Sequence, residues 1–247
     1  MEEDIFATTV EAQEYVAATT RSLLARGFNP QNTLTCVSVC RDEYMRRFVS
    51  LIEARWGPAF QLGGVAGAVF VGEGGWSAAM THAPSIDTKR RMATWVLPHI
   101  GRVAGQPPGL TLRPGVVDPV PTCGTLALLQ ARHVPSAEQE DSRSGGLLVG
   151  ADVADQESLL PADVEVAALV RRLRAAGTLP ATLLEMTRRV HDCAVEDAVS
   201  LLRLSAGRGF ETAICSGVVV HEDAGDRVWV GRMADAVPAA TPDHEPV

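Results

Sequence analysis

The sequence has no uninterrupted apolar run approaching the roughly 20 residues that span a bilayer, so no membrane-crossing helix is expected. Its opening residues, MEEDIF, are acidic where a secretory leader would be basic and then apolar, and the expected location is the cytoplasm. Basic charge is also in short supply. There are 22 Lys and Arg against 30 Asp and Glu, a formal net charge of −8. That balance argues against nucleic-acid binding, which needs a concentrated basic face. The two basic knots, Thr88–Met92 and Val170–Gly177, do not supply one, and the second reads as the solvated side of an amphipathic helix.

Several motifs are missing as well. No Gly-x-x-x-x-Gly-Lys phosphate loop occurs, "GEGGWS" is only a broken dinucleotide fingerprint, and no Gly-x-Ser-x-Gly elbow is present. Cysteine is scarce and odd in number: Cys36, Cys40, Cys123, Cys193 and Cys215, with no Cys-x-x-Cys pair. In a reducing compartment such residues are buried small hydrophobes or metal and redox ligands. Internal repeats and linkers between separate cores are absent too. With 247 residues, 46% of them hydrophobic, the chain is expected to form one domain over residues 1–237, followed by a frayed tail over 238–247.

What is present is an alternation of helical and extended patterns. Val10–Arg26 has helical spacing and stops at Gly27 and Pro30. Thr33–Val39, "TLTCVSV", is short and β-branched, as a buried strand should be. From Glu43, Met45, Phe48, Val49, Ile52 and Trp56 fall on one helical face, which leaves Cys40–Asp42 in a turn. Glycines then bracket a short apolar run, Ala68–Val71, before a second buried strand over Met92–Gly101 that ends on His99. A Pro- and Gly-rich connection delivers Cys123 and Gly124 to the helical run "TLALLQARH". Ser136–Pro161 reads as a polar surface excursion. Amphipathic helices over Ala162–Ala176 and Ala181–Ala206 follow, the first with Val166, Leu169, Val170 and Leu173 inward. A terminal hairpin turns at Asp223–Asp226. This order implies an α/β fold: a single domain with a largely parallel central sheet flanked by helices.

The strand "TLTCVSV" runs into Cys40, Arg41, Asp42 and Glu43, a poor recipe for packing and a good one for a metal site. Cys40, His99 and Cys123 each fall at the carboxyl end of a strand or at the mouth of the helix after one, the edge where ligands gather in open α/β sheets. Two thiolates and an imidazole form a normal catalytic zinc set with a fourth place left for water. Any one such cysteine, taken alone, is more often a core residue.

The block "GGVAGAVFVGEGGWSAAMTHAP", the strand "ATWVLPHIG", the later "TCGTLALLQA" and the hairpin "SGVVVHE" resemble the limiting-CO2-inducible B/C protein family, related to β-carbonic anhydrases and also associated with the θ class. The resemblance runs in order from "CRDE" to the terminal hairpin. It implies a β-carbonic-anhydrase-like fold, usually a homodimer, that interconverts CO2 and bicarbonate through a zinc-bound hydroxide. It further implies Cys40, His99 and Cys123 as Zn2+ ligands, with Asp42 and Arg41 as the acid and guanidinium pair beside the metal. Departures from the family pattern are present. Thr81-His82-Ala83-Pro84-Ser85 keeps one His of a usual pair and loses the acid, and Tyr44 stands where β-class enzymes place the dyad arginine. Arg41 is therefore the candidate partner of Asp42, with Arg46 and Arg47 as alternatives.

His82 is the candidate proton relay, against the plainer role of closing the Gly-rich loop. Gly63, Gly64 and Gly67 are expected to let backbone approach the site, and Gly124 to let a helix begin close to it. His191, Cys193, Cys36 and Cys215 read as structural, and His133, His221 and His244 share no ligand spacing. Two other functions stay open: hydrolysis of another small electrophile such as carbonyl sulfide, and a weakly active or non-catalytic protein that binds zinc, bicarbonate or a partner.

Overall fold

The computed structural model describes residues 6–86, 89–133 and 161–237. The expected tail, and the expected surface excursion apart from Pro161, lie outside these residues. Among the described residues no helix is long and apolar enough to cross a membrane.

The chain forms a single α/β domain around one main sheet. Its strands are β1 (Thr9–Glu11), β2 (Thr33–Val39), β3 (Phe60–Gln61), β4 (Ser85–Ile86), β5 (Lys89–Leu97), β6 (His99–Arg102), β9 (Phe210–Glu222) and β10 (Gly225–Ala236). They run in the order β1-β10-β9-β5-β2-β3, with β4 beside β5 and β6 beside β9. The centre is parallel: β2 with β3, β2 with β5, and β5 and β6 with β9. The β9–β10 hairpin and β1 add an antiparallel flank. A small second sheet, β7 (Leu110–Thr111) with β8 (Val120–Pro121), lies in the Pro- and Gly-rich connection.

Among the described residues six α-helices accompany the sheet: α1 (Ala12–Ala25), α2 (Tyr44–Trp56), α3 (Gly72–Thr81), α4 (Gly124–His133), α5 (Pro161–Ala175) and α6 (Leu183–Ala206). The period of two sorts each central strand between two cores. Val37, Val39, Ala93, Trp95 and Leu97 cluster with Tyr15, Leu23, Phe48 and Ile52 of α1 and α2. Cys36, Met92, Val96 and Ile214 point the other way, against Trp76 of α3 and Ala198 and Leu202 of α6. Burying one such large apolar side chain stabilises the fold by roughly 1.5–3 kcal/mol. The start of α6 is fixed by a capping box, in which Thr182 accepts from the Glu185 amide and Glu185 accepts from that of Thr182.

Two local expectations are corrected, and one helix was not anticipated. The first helix begins at Ala12, because Val10 and Glu11 are drawn into pairing with Val228 and Arg227 of β10. "GEGGWSAAMT" forms α3 despite its glycines. Trp76, Ala79 and Met80 bury one side of it, and the Trp76 indole donates to Ser205 Oγ at 2.7 Å. The hairpin turns at Asp223-Ala224, since Gly225 already pairs with Glu222 and Asp226 stands in β10 opposite His221.

Candidate metal centre

The strand β2 stops pairing at Val39, opposite Leu97, so the chain beside Pro98 and His99 is left to Cys40 and the turn that follows it. His99 does not end its strand as expected. Pro98 interrupts the ladder, and β6 resumes in unbroken register with β9, Val96 facing Ser216 and His99 facing Val219. Cys123 stands immediately before α4. The ligand atoms of Cys40, His99 and Cys123 all lie within 4.8 Å of one another, and all three residues are buried.

The backbone permits this crowding at two glycines. A Cβ on Gly63 would fall on the Val39 backbone, and one on Gly67, which adopts φ +82, would crowd the Pro98 backbone and the Cys40 amide nitrogen. Ser38 Oγ ties the loop down by donating to the Gly67 carbonyl at 2.9 Å. Gly124 has open space where a side chain would stand, so close packing does not explain it.

The five thiols divide by their surroundings. Cys36, Cys193 and Cys215 are driven up by burial and behave as neutral core residues. Cys40 is held well below an ordinary thiol, first by the hydrogen bond from Cys123, against the opposing effect of burial, and further by His99 and the Asp42 amide. Cys123 is correspondingly raised, by sharing its proton with Cys40 and by burial, although the amides of Thr125 and Leu126 at the start of α4 favour its thiolate. One proton thus leaves this pair easily and the second with difficulty, because two buried thiolates repel. A divalent cation between the sulfurs removes that repulsion. His99 adds a buried Nε2 with no hydrogen-bond partner. A soft, tetrahedral N/S-binding ion such as zinc fits this donor set.

Around the cluster the expected roles are redistributed. Arg41 does not hold Asp42. It is exposed and grips Glu165 of α5 with both nitrogens, at 2.9 and 2.7 Å. Arg46 and Arg47 point outward from α2. The guanidinium at Asp42 belongs to Arg113, whose Nη2 lies 3.5 Å from Oδ2. Asp42 Oδ1 accepts from the Tyr44 amide at 3.1 Å. Arg113 also pairs with Glu43 and lies 5.0 Å from the centre of the Tyr44 ring. His82 is set apart. It caps α3, is exposed, and packs 5.8 Å from Phe60, ring centre to ring centre. Phe60 faces Cys36, four residues or about 13 Å back along the strand from Cys40.

Sequence reasoning missed three residues here: Arg113, His221 and Asp226. His221 Nε2 lies 3.1 Å from His99 Nδ1, and His221 Nδ1 lies 2.8 Å from Asp226 Oδ1. The only available signal for His221 was its place in "SGVVVHE"; Arg113 had none. His191 and Cys193 are buried in α6, as expected of structural residues.

No curated protein matches the chain significantly. Solved structures do. The crystal structure of PtLCIB4, a homolog of the limiting CO2-inducible protein LCIB, is 20% identical, covers 96% of this chain and 97% of its own, and superposes with a TM-score of 0.71. A point mutant of PtLCIB4 gives 0.74 at 20% identity, over 96% of both chains. LCIB itself gives 0.65 at 17% identity, over 96% of this chain and 97% of its own. At these identities the likeness is one of fold. The family described as limiting CO2-inducible proteins B/C beta carbonic anhydrases matches the sequence itself, over residues 9–235. That match takes in all three cluster residues and every strand of the main sheet, and the chain accordingly belongs to the limiting CO2-inducible B/C beta carbonic anhydrase family.

Proposed function

We propose that the protein is a zinc-dependent carbonic anhydrase that interconverts CO2 and bicarbonate, with Cys40, His99 and Cys123 holding the metal. The observation that carries this reading is the convergence of two sulfurs and one imidazole within 4.8 Å in a buried pocket, in a chain of this family. Zinc held by three protein ligands supplies Lewis acidity and a water that ionises near neutral pH, the nucleophile that CO2 hydration requires.

The chain's own residues do the rest. The Asp42 amide donates to Cys40 and draws charge from that sulfur, which offsets the strong electron donation of a thiolate. The Asp42 carboxylate accepts the hydrogen of the attacking water and orients its lone pair toward CO2. Arg113 holds that carboxylate in place from the side by a charge-assisted contact. It is also the nearest guanidinium to Asp42, suited to attract the bicarbonate anion. The Tyr44 ring packs against that guanidinium and helps to hold it. The protein acts in this reading as a homodimer on small-molecule substrates.

The test is metal analysis of the purified protein together with stopped-flow CO2 hydration, with carbonyl sulfide offered in parallel and mass measured by light scattering. One zinc per chain and hydration above the buffer rate support the reading. Zinc without hydration of CO2 would refute it, as would a metal-free protein that cannot be loaded.

A further inference from the structure

Three side chains stand in a row on one face of β6, β9 and β10. Asp226 and His221 are direct cross-strand partners, and His99 faces Val219, which places it diagonally from His221 two residues on. The contacts follow that row: Asp226 Oδ1 to His221 Nδ1 at 2.8 Å, then His221 Nε2 to His99 Nδ1 at 3.1 Å. The two rings meet edge to face, their planes at 81°.

The direction of these bonds is dictated by chemistry. A carboxylate can only accept, so His221 Nδ1 carries the proton in the first bond. A neutral imidazole with a proton on Nδ1 offers a lone pair at Nε2. His99 must then donate from its own Nδ1 to complete the second bond. Its Nε2 is left with a free lone pair, and Nε2 is the nitrogen that is buried without a partner. Reversing the chain of bonds would put hydrogen on His99 Nε2 and make it useless as a ligand. The row is shielded by Tyr44, whose ring centre lies 5.2 Å from that of His221.

We propose that His221 and Asp226 are positioning residues: together they hold His99 in the one tautomer whose Nε2 can bind a metal, and so preorganise the centre before the ion arrives. The proposal rests on the metal reading above. Partners of this kind behind a metal-binding histidine are generally worth about 10- to 100-fold in metal affinity.

Nitrogen-15 NMR of the imidazoles in the metal-free protein, with zinc affinity measured by chelator competition, provides the test. His99 is expected to carry its proton on Nδ1. In His221→Phe, zinc affinity is expected to fall about 10- to 100-fold with the far-ultraviolet circular dichroism unchanged. In Asp226→Ala both imidazoles remain, and the His99 signal is expected to shift toward mixed tautomers. A wild-type His99 protonated at Nε2 would overturn the proposal, as would a folded His221→Phe that keeps full affinity. If His221→Phe does not fold, Asp226→Ala decides, and an unchanged His99 tautomer overturns it. If the wild-type protein takes up no zinc yet shows the Nδ1 proton and loses it in Asp226→Ala, the metal reading fails while the positioning role stands.

Discussion

Arg113 and Asp42, 71 residues apart in sequence, meet with Nη2 3.5 Å from Oδ2, while Arg41, the immediate neighbour of Asp42, turns away to Glu165. The guanidinium beside the acid therefore comes from the loop between β7 and β8. Arg113→Ala is expected to keep its metal and lose about 10- to 100-fold in CO2 hydration, the range for removing a charged hydrogen bond. Arg41→Ala removes only an exposed pair, worth about 0–1 kcal/mol, and should leave the rate within about twofold. Stopped-flow rates on the two variants side by side distinguish them, and the opposite order of damage would return the role to Arg41.

Asp42→Asn retains the shape of the side chain but weakens it as an acceptor. Zinc should stay at one per chain while hydration falls by about 10²-fold or more, the contribution typical of a positioned proton acceptor. An undiminished rate would remove Asp42 from the mechanism.

Cys123→Ser replaces a sulfur that receives two helix-terminal amides. The variant should be soluble and folded, with metal content near zero by elemental analysis. A full equivalent of zinc in that variant would strike Cys123 from the ligand set.

Gly63→Ala probes the backbone beneath the site. The added methyl falls on the Val39 main chain, which cannot rotate aside. Overpacking of this kind costs about 1–3 kcal/mol, enough to lower Tm by roughly 2–12 °C in a domain of this size. A melting curve that superposes on the wild type would mean that the loop relaxes freely.

His82→Ala bears on proton transfer. With its ring on Phe60 and its surface exposed, His82 is expected to contribute little, and hydration in dilute buffer should stay within about twofold of the wild type. A larger loss that imidazole buffer restores would assign it the relay after all.

Much of the fold was legible in residue order alone. Thr33–Val39 is a strand over the stretch expected, because β-branched residues buried on both faces leave little alternative. The inner stripe of α2 was likewise visible, with Met45, Phe48, Ile52 and Trp56 buried. Boundaries failed where partners lie far away: Val10 and Glu11 pair with Val228 and Arg227 of β10, 218 and 216 residues downstream, rather than following their own helical spacing.

 The local pattern around those two residues is helical, and only a strand arriving from the far end of the chain competes with it successfully.

By itself the sequence determined which residues have metal chemistry to offer, that Cys40 follows a strand and that Cys123 precedes a helix, because hydrophobic periodicity and helix signals are local properties. Only the tertiary structure decided which of them meet. Cys40, His99 and Cys123 are joined by the register of β2, β5 and β6 and by the entry of α4, and Arg113 replaces Arg41 because of where the β7–β8 loop lies. His221 and Asp226 reach His99 through cross-strand pairing, a relation set by distance in space that has no counterpart in spacing along the chain.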